Sequence, residues 1–384
     1  MDEPIDILFV TTYVGLGGGE TSLLTLVEHL DNRRFRPHLL VPQDGQLAER
    51  WRAHGWPVHV MPWRGASVWF IPALYARFPI VGRMTALLRA RSIRAVHSDY
   101  HSLPFIVPAA ERAGAPVLWT CWGWWFHPKP WQRAFFQRPT AGFAASWAIR
   151  DGFLGHPPFM PPERLPVLPP GVDTTRFHPE IDGSAVRAEV GLAAQTPLVA
   201  LIARFQDVKG HEVFQAMARL VAAELPEARF LVAGENVHGA AADDAYKARI
   251  LQAARQDPLL RERLYYLGFR ADTERVIAAA DVVVCSSWFE SYGMVNVEAM
   301  ACGRPVVSTR QGGPSETVVD GETGYLVDAG DAEGLARHVL ALLRDPALRR
   351  RMGAAGRARV EAHFSATAMA QRFTSTLDSC LIMV

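Results

Sequence analysis

The sequence lacks the features that mark membrane-spanning, disulfide-rich or metal-binding proteins. No run within its 384 residues approaches the ~20 apolar residues that cross a bilayer. The N-terminus has no basic start followed by an apolar core, the pattern of a secretory signal. The cysteines have no metal-ligand spacing and no disulfide is expected; they are Cys121, Cys285, Cys302 and Cys380. We therefore expect a protein in the cytoplasm or on the cytosolic face of a membrane, with no metal ion and no cofactor.

The sequence also lacks an excess of charge of one sign. Its net charge is +1, so no overall field attracts nucleic acid or another polyanion, and no nucleic-acid partner is expected. A hydrophobic content of 49% against 21% charged residues is typical of a folded chain. At this length the chain is long enough for two domains, each with its own core.

Short β-branched runs alternate with stretches of helical apolar spacing along nearly the whole chain. The strand candidates are 5–10, 38–41, 58–61, 95–98, 116–120, 198–203, 229–233, 264–268, 281–285, 305–308 and 325–327. The clearest helical stretches are 20–30, 211–224 and 331–344. This alternation predicts an α/β protein in which parallel sheets are covered by helices on both faces.

A proline-rich segment divides this alternation into two parts. Residues 156–170 contain seven prolines, which excludes a helix interior or a central strand there. We predict a domain over 1–180, a second domain over 181–364, and a C-terminal helix over 365–384 that packs on either half.

The most informative segment follows the strand candidate 281–285 and ends at Gly303. Gly293 separates its loop from its helical pattern. Backbone N–H groups after that glycine would lie at a helix N-terminus beside the strand ends, where α/β sheets bind anionic ligands. Glu290 in the loop and Glu298 in the helix suit the hydroxyl groups of a sugar; the alternative is two glutamates on a solvated face.

A basic loop follows the strand candidate 198–203. Arg204 and Lys209 are five residues apart and can converge on a diphosphate, where their charge would replace a metal ion in stabilising a departing phosphate. Two surface cations are the alternative.

A glycine-rich turn, 15–19, follows the first strand candidate and permits close backbone approach to a ligand. Its pattern departs from the dinucleotide fingerprint, and no acidic residue ends the next strand to hold a ribose. A nicotinamide-dependent dehydrogenase is therefore disfavoured.

Taken together, these segments resemble the retaining GT-B-fold glycosyltransferases of family four, also described as glycosyl transferases group 1. The resemblance covers nearly the whole chain. Its motifs are Gly17–Glu20, Ala95–Ser98, Leu168–Phe177, Arg204 with Lys209–Gly210, Leu267–Phe269, Glu290–Ser308, Gly312–Glu316 and Gly321–Gly324. It implies two Rossmann-like, doubly wound domains facing across a cleft, an N-terminal one that binds the acceptor and a C-terminal one that binds a nucleotide sugar.

By this resemblance the catalytic residues are Glu290, Arg204 and Lys209. Glu298 would hold the ribose, Glu290 would contact the transferred sugar, and the two cations would neutralise the diphosphate. The configuration at the reacting carbon would be retained by front-face attack, with the leaving phosphate taking the proton of the incoming hydroxyl.

The resemblance further implies a set of donor-binding residues that act largely through their backbone. They are Gly18, Gly19, Phe269, Arg270, Gly293, Met294 and Val295. The first two would close over the phosphates, the next two would meet the base, and the last three would add N–H groups to the diphosphate.

One position departs from the family pattern. After the strand 116–120 the family commonly carries a histidine near the donor sugar, whereas this chain has Trp122. His97, His101 or His127 could substitute, although each also suits a structural or surface histidine. The identity of the donor sugar is therefore open.

Aromatic residues are concentrated in the N-terminal half, where ten of the eleven tryptophans precede residue 148. Trp122, Trp124 and His127 are the candidate acceptor-binding residues, since aromatic faces stack on sugar rings. An aromatic core is one alternative. Another is a segment, 67–94, that contacts anionic lipid through apolar residues followed by arginines.

The sequence thus predicts a metal-independent transferase of polysaccharide or glycoconjugate biosynthesis, with a UDP-sugar as the expected donor and a glycan, glycolipid or small molecule as acceptor. Two alternatives stay open. A nucleotide-sugar epimerase is disfavoured because no proton-abstracting pair is evident, and a degenerate transferase acting as a nucleotide- or glycan-binding subunit is supported by Trp122.

Overall fold

The computed structural model describes residues 3–64, 77–123, 128–236 and 241–382, which form two compact units. The first comprises the chain up to Gly171 and again from Ala366, and the second comprises Val172–Ser365. The predicted boundary at residue 180 lies inside the second unit, because Val172 and Phe177 are buried in its core.

The first unit contains a parallel six-stranded sheet in the order β3-β2-β1-β4-β5-β6. Its strands are β1 Ile5–Val10, β2 Phe35–Val41, β3 Val58–Val60, β4 Ala95–Ser98, β5 Val117–Cys121 and β6 Ala141–Ala144. Its helices are α1 Gly18–Glu28, α2 Gln46–Ala53, α3 Pro79–Ala90, α4 Leu103–Ala113, α5 Pro130–Gln137, α6 Trp147–Leu154 and the C-terminal helix Ala366–Ile382.

The second unit repeats this architecture in the order β9-β8-β7-β10-β11-β12. Its strands are β7 Leu198–Ile202, β8 Arg229–Ala233, β9 Leu264–Gly268, β10 Val282–Cys285, β11 Val306–Thr309 and β12 Gly324–Val327. Its helices are α7 Ser184–Glu189, α8 His211–Glu224, α9 Ala241–Gln256, α10 Thr273–Ala279, α11 Met294–Ala301, α12 Pro314–Thr317, α13 Ala332–Arg344 and α14 Pro346–His363.

Both sheets have the doubly wound strand order, which confirms the predicted α/β fold class. In each, the chain begins at the centre, winds to one edge and then returns to wind to the other. The reversal lies between β1 and β4 in the first sheet and between β7 and β10 in the second. Because connections leave these strand pairs in opposite directions, a crevice opens at their carboxyl ends, where such sheets bind ligands.

Each strand candidate from the sequence corresponds to an observed strand, with small differences at the ends. β2 begins at Phe35 rather than 38, and it contains Pro37. The proline is tolerated because β3 pairs with β2 only from Leu39 onward. The N–H that Pro37 lacks is therefore not needed for a hydrogen bond between β2 and β3.

One strand, β6, was not predicted. It has four residues, Ala-Gly-Phe-Ala, and three of them are small residues with low β propensity. Gly142 is required by packing, since a Cβ there would lie 2.4 Å from Nε1 of Trp119. The strand therefore forms because of contacts with distant residues of the sheet, which the local sequence pattern does not indicate.

The C-terminal helix packs on the first unit. Phe373 and Leu377 are fully buried, and the Phe373 ring lies 6.2 Å from Phe9 and 5.5 Å from Phe143. Because the helix inserts its apolar face into this core, the two ends of the chain belong to the same unit.

The proposed lipid-contacting segment 67–94 is only partly described, and residues 67–76 lie outside the described ranges. In its remaining part, α3 buries Val81, Met84 and Leu88 in the unit and leaves Arg83 and Arg89 exposed. Within the described ranges, none of the helices combines the length and apolar character needed to span a bilayer.

Candidate functional site

The sheet reversal in the second unit brings the predicted catalytic residues together. β7 and β10 are neighbours, with Val199 opposite Val282. Arg204 and Lys209 follow β7, and Glu290 follows β10. Residues 81 positions apart in sequence therefore meet at the carboxyl edge of the sheet.

Glu290 is held in place through one carboxylate oxygen, Oε1, to which the Cys285 thiol also donates at 3.8 Å. Its Oε1 atom accepts hydrogen bonds from Lys209 Nζ at 2.7 Å and from Ser287 Oγ at 2.7 Å. The side chains of Glu290 and Lys209 are only 15% and 19% exposed, so the charge pair is shielded from solvent. No described residue donates a hydrogen bond to the second oxygen, Oε2, which leaves an acceptor for a ligand hydroxyl.

The loop that carries Lys209 is locked against the loop after β10. Gly210 has φ of 61°, and a Cβ there would lie 2.1 Å from the carbonyl oxygen of Ser286. The Ser286 hydroxyl donates to the carbonyl oxygens of Lys209 and Gly210 at 3.2 and 2.9 Å. This close approach fixes the base of the Lys209 side chain, so little entropy is lost when it engages an anion.

The loop that carries Glu290 is braced by a second glycine. The Glu290 N–H donates to Gln311 O at 3.2 Å, and the Gly313 N–H donates to Glu290 O at 3.0 Å. Gly312 has φ of 87°, and a Cβ there would lie 2.0 Å from Glu290 O. Only glycine fits at position 312, where the two loop backbones approach each other this closely.

Helix α11 begins directly after this loop. Gly293 precedes it in the left-handed conformation, with φ of 85°, and no side chain caps the helix. The first-turn N–H groups of Gly293, Met294 and Val295 have no acceptor within an α-helix. They carry the positive end of the helix dipole and suit a phosphate.

Glu298 lies in α11 in an environment that contrasts with that of Glu290. No described residue donates a hydrogen bond to its carboxylate, and surrounding protein raises its pKa to about 7 because burial disfavours the charged form. The nearby Arg176 opposes this shift and Glu274 adds to it. A half-buried carboxylate without a partner among the described residues is ready to accept hydrogen bonds from a ligand diol.

The remaining residues of this unit that were predicted to bind the nucleotide sugar differ in whether their side chains already have partners. The half-buried Arg204 side chain makes no hydrogen bond or ion pair with any described residue. Phe269 is 70% exposed. Arg270 is fully engaged, because its guanidinium donates to both oxygens of Asp272 at 2.8 Å and to Glu189 at 2.6 Å, which raises its pKa.

The predicted residues of the first unit lie around its own sheet reversal. Trp122 follows β5, and its Cδ1 atom would lie 3.3 Å from a Cβ at Gly19. A Cβ at Gly18 would meet no atom within 4 Å, so its smallness is not required by packing in this unit. The other two predicted acceptor residues, Trp124 and His127, lie outside the described residues.

His97, one of the histidines that could substitute for the absent family histidine, is buried. Its Nε2 atom pairs with Thr120 Oγ1 at 2.7 Å, and its ring lies 5.5 Å from Phe9. Burial lowers its pKa to about 3, so the ring is neutral. His101 lies nearer the surface, with Nε2 3.1 Å from the Tyr13 hydroxyl.

Sequence reasoning missed two polar residues at these edges. Ser287 positions Glu290, and its place two residues after a buried strand was the available signal. Asp99 follows β4, and its carboxylate accepts four hydrogen bonds: one from the Thr11 hydroxyl, two from the N–H and hydroxyl of Thr12, and one from the Ser102 N–H. A single aspartate in a loop carries no pattern that identifies such a role.

No group of three or more His, Cys, Asp or Glu residues is arranged for a metal ion within the part of the chain that the structure describes. Metal independence stays a prediction.

Two family profiles match the chain in tandem. The profile described as Glycosyltransferase Family 4 matches residues 16–176, and the one described as Glycosyl transferases group 1 matches 184–359. The alpha-maltose-1-phosphate synthase of Mycolicibacterium smegmatis is 33% identical over 280 residues, which cover 69% of this chain and 68% of that protein. The chain belongs to glycosyltransferase family 4. The predicted family resemblance is thereby confirmed.

Other family members align over shorter parts. A GDP-mannose-dependent monoacylated alpha-(1-6)-phosphatidylinositol monomannoside mannosyltransferase of Corynebacterium glutamicum is 34% identical over 60% of this chain and 59% of its own length. A D-inositol 3-phosphate glycosyltransferase of a Mycobacterium species is 41% identical over 50% of this chain, and the alignment covers 42% of that relative. The chain thus matches between about two fifths and two thirds of these relatives.

Solved structures share the fold over nearly the whole chain. A glycosyltransferase of Rickettsia africae has a TM-score of 0.86 at 18% identity, covering 99% of both chains. The Anabaena HepE protein in complex with UDP and glucose has a TM-score of 0.80 at 23% identity, covering 98% of this chain and 100% of that one. These similarities confirm the GT-B fold class.

Proposed function

We propose that this family member transfers a sugar from a nucleoside diphosphate sugar to a hydroxyl group of a carbohydrate, glycolipid or small-molecule acceptor. The observation that carries the proposal is the convergence of Lys209, Glu290 and the α11 N-terminus at the sheet reversal of the second unit. This arrangement supplies positive charge, free N–H groups and a carboxylate acceptor within one crevice.

The diphosphate of the donor would lie against Arg204, Lys209 and the first-turn N–H groups of α11. Arg204 has no partner among the described residues, so it is available to a phosphate without breaking an existing ion pair. In the transition state, negative charge accumulates on the leaving phosphate, and preorganised cations stabilise that charge without a metal ion.

Glu290 would orient the transferred sugar through its unoccupied Oε2 atom, while Lys209 and Ser287 hold Oε1. The proposed reaction is a front-face displacement with retention. The bond between the anomeric carbon and the phosphate oxygen breaks, the bond to the acceptor oxygen forms on the same face, and the acceptor proton passes to the leaving phosphate.

The ribose would be held by Glu298 and the base by the backbone at Phe269 and Arg270. Arg270 is already committed to Asp272 and Glu189, so its guanidinium is not a reader of the base. UDP is the first donor nucleotide to test. GDP is the second, because the Corynebacterium relative is named as GDP-mannose-dependent.

Calorimetric titration with UDP, GDP and ADP in metal-free buffer tests the proposal. We expect one nucleotide to bind, and Glu298→Ala to weaken that binding at least about tenfold through loss of the ribose hydrogen bonds. Glu322→Ala, at an exposed position of the same unit, is the matched control and should bind as the wild type does. Failure of all three nucleotides to bind the folded protein would contradict the donor assignment.

A second candidate is a nucleotide-binding subunit without turnover, which Trp122 favours because it stands where the family commonly has a histidine near the donor sugar. Donor turnover separates the two candidates. Retention of nucleotide binding with no release of sugar from the UDP- or GDP-sugar, together with turnover in Trp122→His, would support the subunit.

A further inference from the structure

The backbone on either side of Lys209 is attached to two other parts of the second unit. One residue before Lys209, the carbonyl oxygen of Val208 accepts a hydrogen bond from the Trp288 N–H at 2.8 Å. Two residues after Lys209, the His211 N–H donates to Tyr246 Oη at 3.1 Å. The segment is therefore fixed on one side by the loop after β10 and on the other by helix α9.

Glu212, at the start of α8, connects these two attachments. Its Oε2 atom accepts a hydrogen bond from Tyr246 Oη at 2.5 Å, and its Oε1 atom accepts one from Trp288 Nε1 at 3.3 Å. The Tyr246 hydroxyl, the Glu212 carboxylate and the Trp288 indole thus form one series of hydrogen bonds, which we call the Glu212 chain. Because it joins the two attachments, it closes a ring that includes the backbone of Lys209.

The Glu212 carboxylate is charged at neutral pH. Burial alone would raise its pKa, but the hydrogen bonds that it accepts, led by that from Tyr246, lower the pKa below its ordinary value. Burial raises the pKa of Tyr246, and the charge of Glu212 reinforces the rise, so the tyrosine hydroxyl stays protonated and donates. A hydrogen bond to an ionised acceptor is roughly twice as strong as one between neutral groups. The bond between Tyr246 and Glu212 is of this stronger kind.

The Trp288 ring is confined by packing, although the residue is 46% exposed. A Cβ at Gly330 would lie 2.9 Å from Cη2 of the indole, so the absence of a side chain at position 330 lets the ring lie there. Trp288 directly follows Ser287, which holds the Glu290 carboxylate. Trp288 therefore connects the segment that carries Lys209 to the loop that carries Glu290.

We propose that Glu212, Tyr246 and Trp288 are positioning residues that hold Lys209 in a fixed place relative to Glu290 during the transfer step. They act through the backbone of Lys209 and do not touch the substrate. The inference rests on the proposed transferase function, because it concerns the cation that would stabilise the leaving phosphate. A preorganised cation acts mainly on the charge that develops in the transition state, so a loosened segment slows the reaction more than it weakens nucleotide binding.

Kinetics of Tyr246→Phe and Trp288→Phe on the full chain test the proposal with the donor identified by calorimetry. Each substitution keeps an aromatic ring and removes one hydrogen-bond donor to Glu212. We expect kcat per folded protein to fall about tenfold, while the nucleotide Kd changes less than about threefold. Tyr265→Phe is the matched control, since its hydroxyl makes only an exposed hydrogen bond to Glu262 O, and both values should stay those of the wild type.

The double variant Tyr246→Phe/Trp288→Phe shows whether the two side chains act through one chain. Since both donate to Glu212, the loss of kcat in the double variant should be smaller than the product of the two single losses. A loss equal to that product would show two independent effects and overturn the shared role of Glu212.

Hydrogen exchange on the full chain reports on the segment without any reaction. Loss of either donor to Glu212 opens the ring that includes Lys209, so backbone amides within 208–212 should exchange at least about tenfold faster in both single variants. Amides of β7 should keep their wild-type rates, and Tyr265→Phe should change neither set. Unchanged exchange within 208–212 would overturn the inference whether or not the protein turns over a donor.

The two readouts keep the proposed function and the present inference apart. If the wild type turns over no nucleotide sugar, the proposed function fails, and the exchange rates alone decide whether the Glu212 chain holds the segment. If the wild type is active, an unchanged kcat in both variants overturns the inference, even where the melting temperature falls, because the chain then serves stability alone. A loss of nucleotide affinity as large as the loss of kcat overturns it as well.

Discussion

At the scale of single residues, the two glutamates of the second unit show how environment separates similar side chains. Glu290 is an ion-paired carboxylate, with one oxygen held by Lys209 and Ser287. Glu298 is half-buried, no described residue donates a hydrogen bond to its carboxylate, and desolvation raises its pKa to about 7. The Glu290 carboxylate is therefore already held in one orientation, whereas the Glu298 carboxylate keeps its hydrogen-bonding capacity for the proposed ligand.

Nucleotide affinity should depend on the ionisation of Glu298. The ribose diol donates hydrogen bonds, so binding requires the charged form, which is scarce below the pKa of about 7. We expect affinity to fall about tenfold between about pH 8 and pH 6. Calorimetry on the wild type and on Glu298→Gln measures this, with the variant correcting for titration of the nucleotide phosphate. A pH profile unchanged by the substitution would contradict the assignment.

The same burial should make Glu298 costly to the unliganded protein. Its folded pKa is raised above the ordinary 4.5, so folding favours the protonated form and the penalty is present above about pH 7. The penalty is relieved as the pH falls toward 5. Glu298→Gln should therefore raise the melting temperature by a few degrees at pH 8 and little at pH 5, for a gain of about 1–2 kcal/mol. Equal shifts of the melting temperature at pH 8 and pH 5 would show that the charge of Glu298 is not the cause of the destabilisation.

Lys209 should be required for turnover more than for folding. Lys209→Met removes the charge next to the leaving phosphate, and we expect the transfer rate constant to fall by about 10²–10³. Lys209→Arg keeps the positive charge but replaces the compact ammonium group with a planar guanidinium, so its rate constant should fall less. Initial-rate kinetics on the donor identified by calorimetry give the comparison. If Lys209→Met were as active as Lys209→Arg, the charge of Lys209 would not contribute to stabilising the leaving phosphate.

At the scale of elements, the loops at the sheet edge depend on glycines whose positions are set by neighbouring backbone. Gly312 and Gly210 both combine positive φ with a backbone oxygen about 2 Å from the place of a Cβ. These contacts join loops from different strands, so they orient Glu290 and Lys209 relative to each other.

Gly312→Ala should be much more damaging than Gly321→Ala. Both glycines have positive φ, 87° and 78°, but a Cβ at Gly312 collides with Glu290 O, whereas one at Gly321 meets nothing within 4 Å. The control should cost about 1 kcal/mol from backbone strain alone, and Gly312→Ala about 3 kcal/mol or more. Urea unfolding measures both, and equal costs would show that the loop simply moves aside.

At the scale of the whole molecule, the chain ends in the unit in which it began. The C-terminal helix contributes Phe373 and Leu377 to the core around β1 and α1, while the second unit lies between the two segments in sequence. Stability of the first unit therefore depends on a segment that follows the whole second unit in sequence.

Phe373→Ala should destabilise the first unit selectively. Loss of a fully buried phenylalanine that packs near Phe9 and Phe143 costs about 3–5 kcal/mol. In scanning calorimetry we expect one transition to shift downward while the nucleotide still raises the other. Gln371→Ala, exposed on the same helix, should change neither transition. Loss of nucleotide stabilisation in the Phe373 variant would show that the units do not unfold independently.

The sequence by itself determined the strands other than β6, the fold class and the set of charged residues at the strand ends. These follow from local patterns, because apolar periodicity and glycine positions act between near neighbours, and parallel strands bring their carboxyl ends to one edge. The placement of Arg204, Lys209 and Glu290 after strand ends could thus be predicted without coordinates.

Only the tertiary structure decided which of these groups touch. The Lys209–Glu290 pair, the four donors around Asp99, the strand β6 and the unit that accepts the C-terminal helix all depend on contacts between distant segments. The contrast between Glu290 and Glu298 has the same origin, because burial and partners are properties of the packed neighbourhood. A local pattern can place a carboxylate on a loop or a helix, but its charge state is set by the surrounding protein, which the chain assembles only on folding.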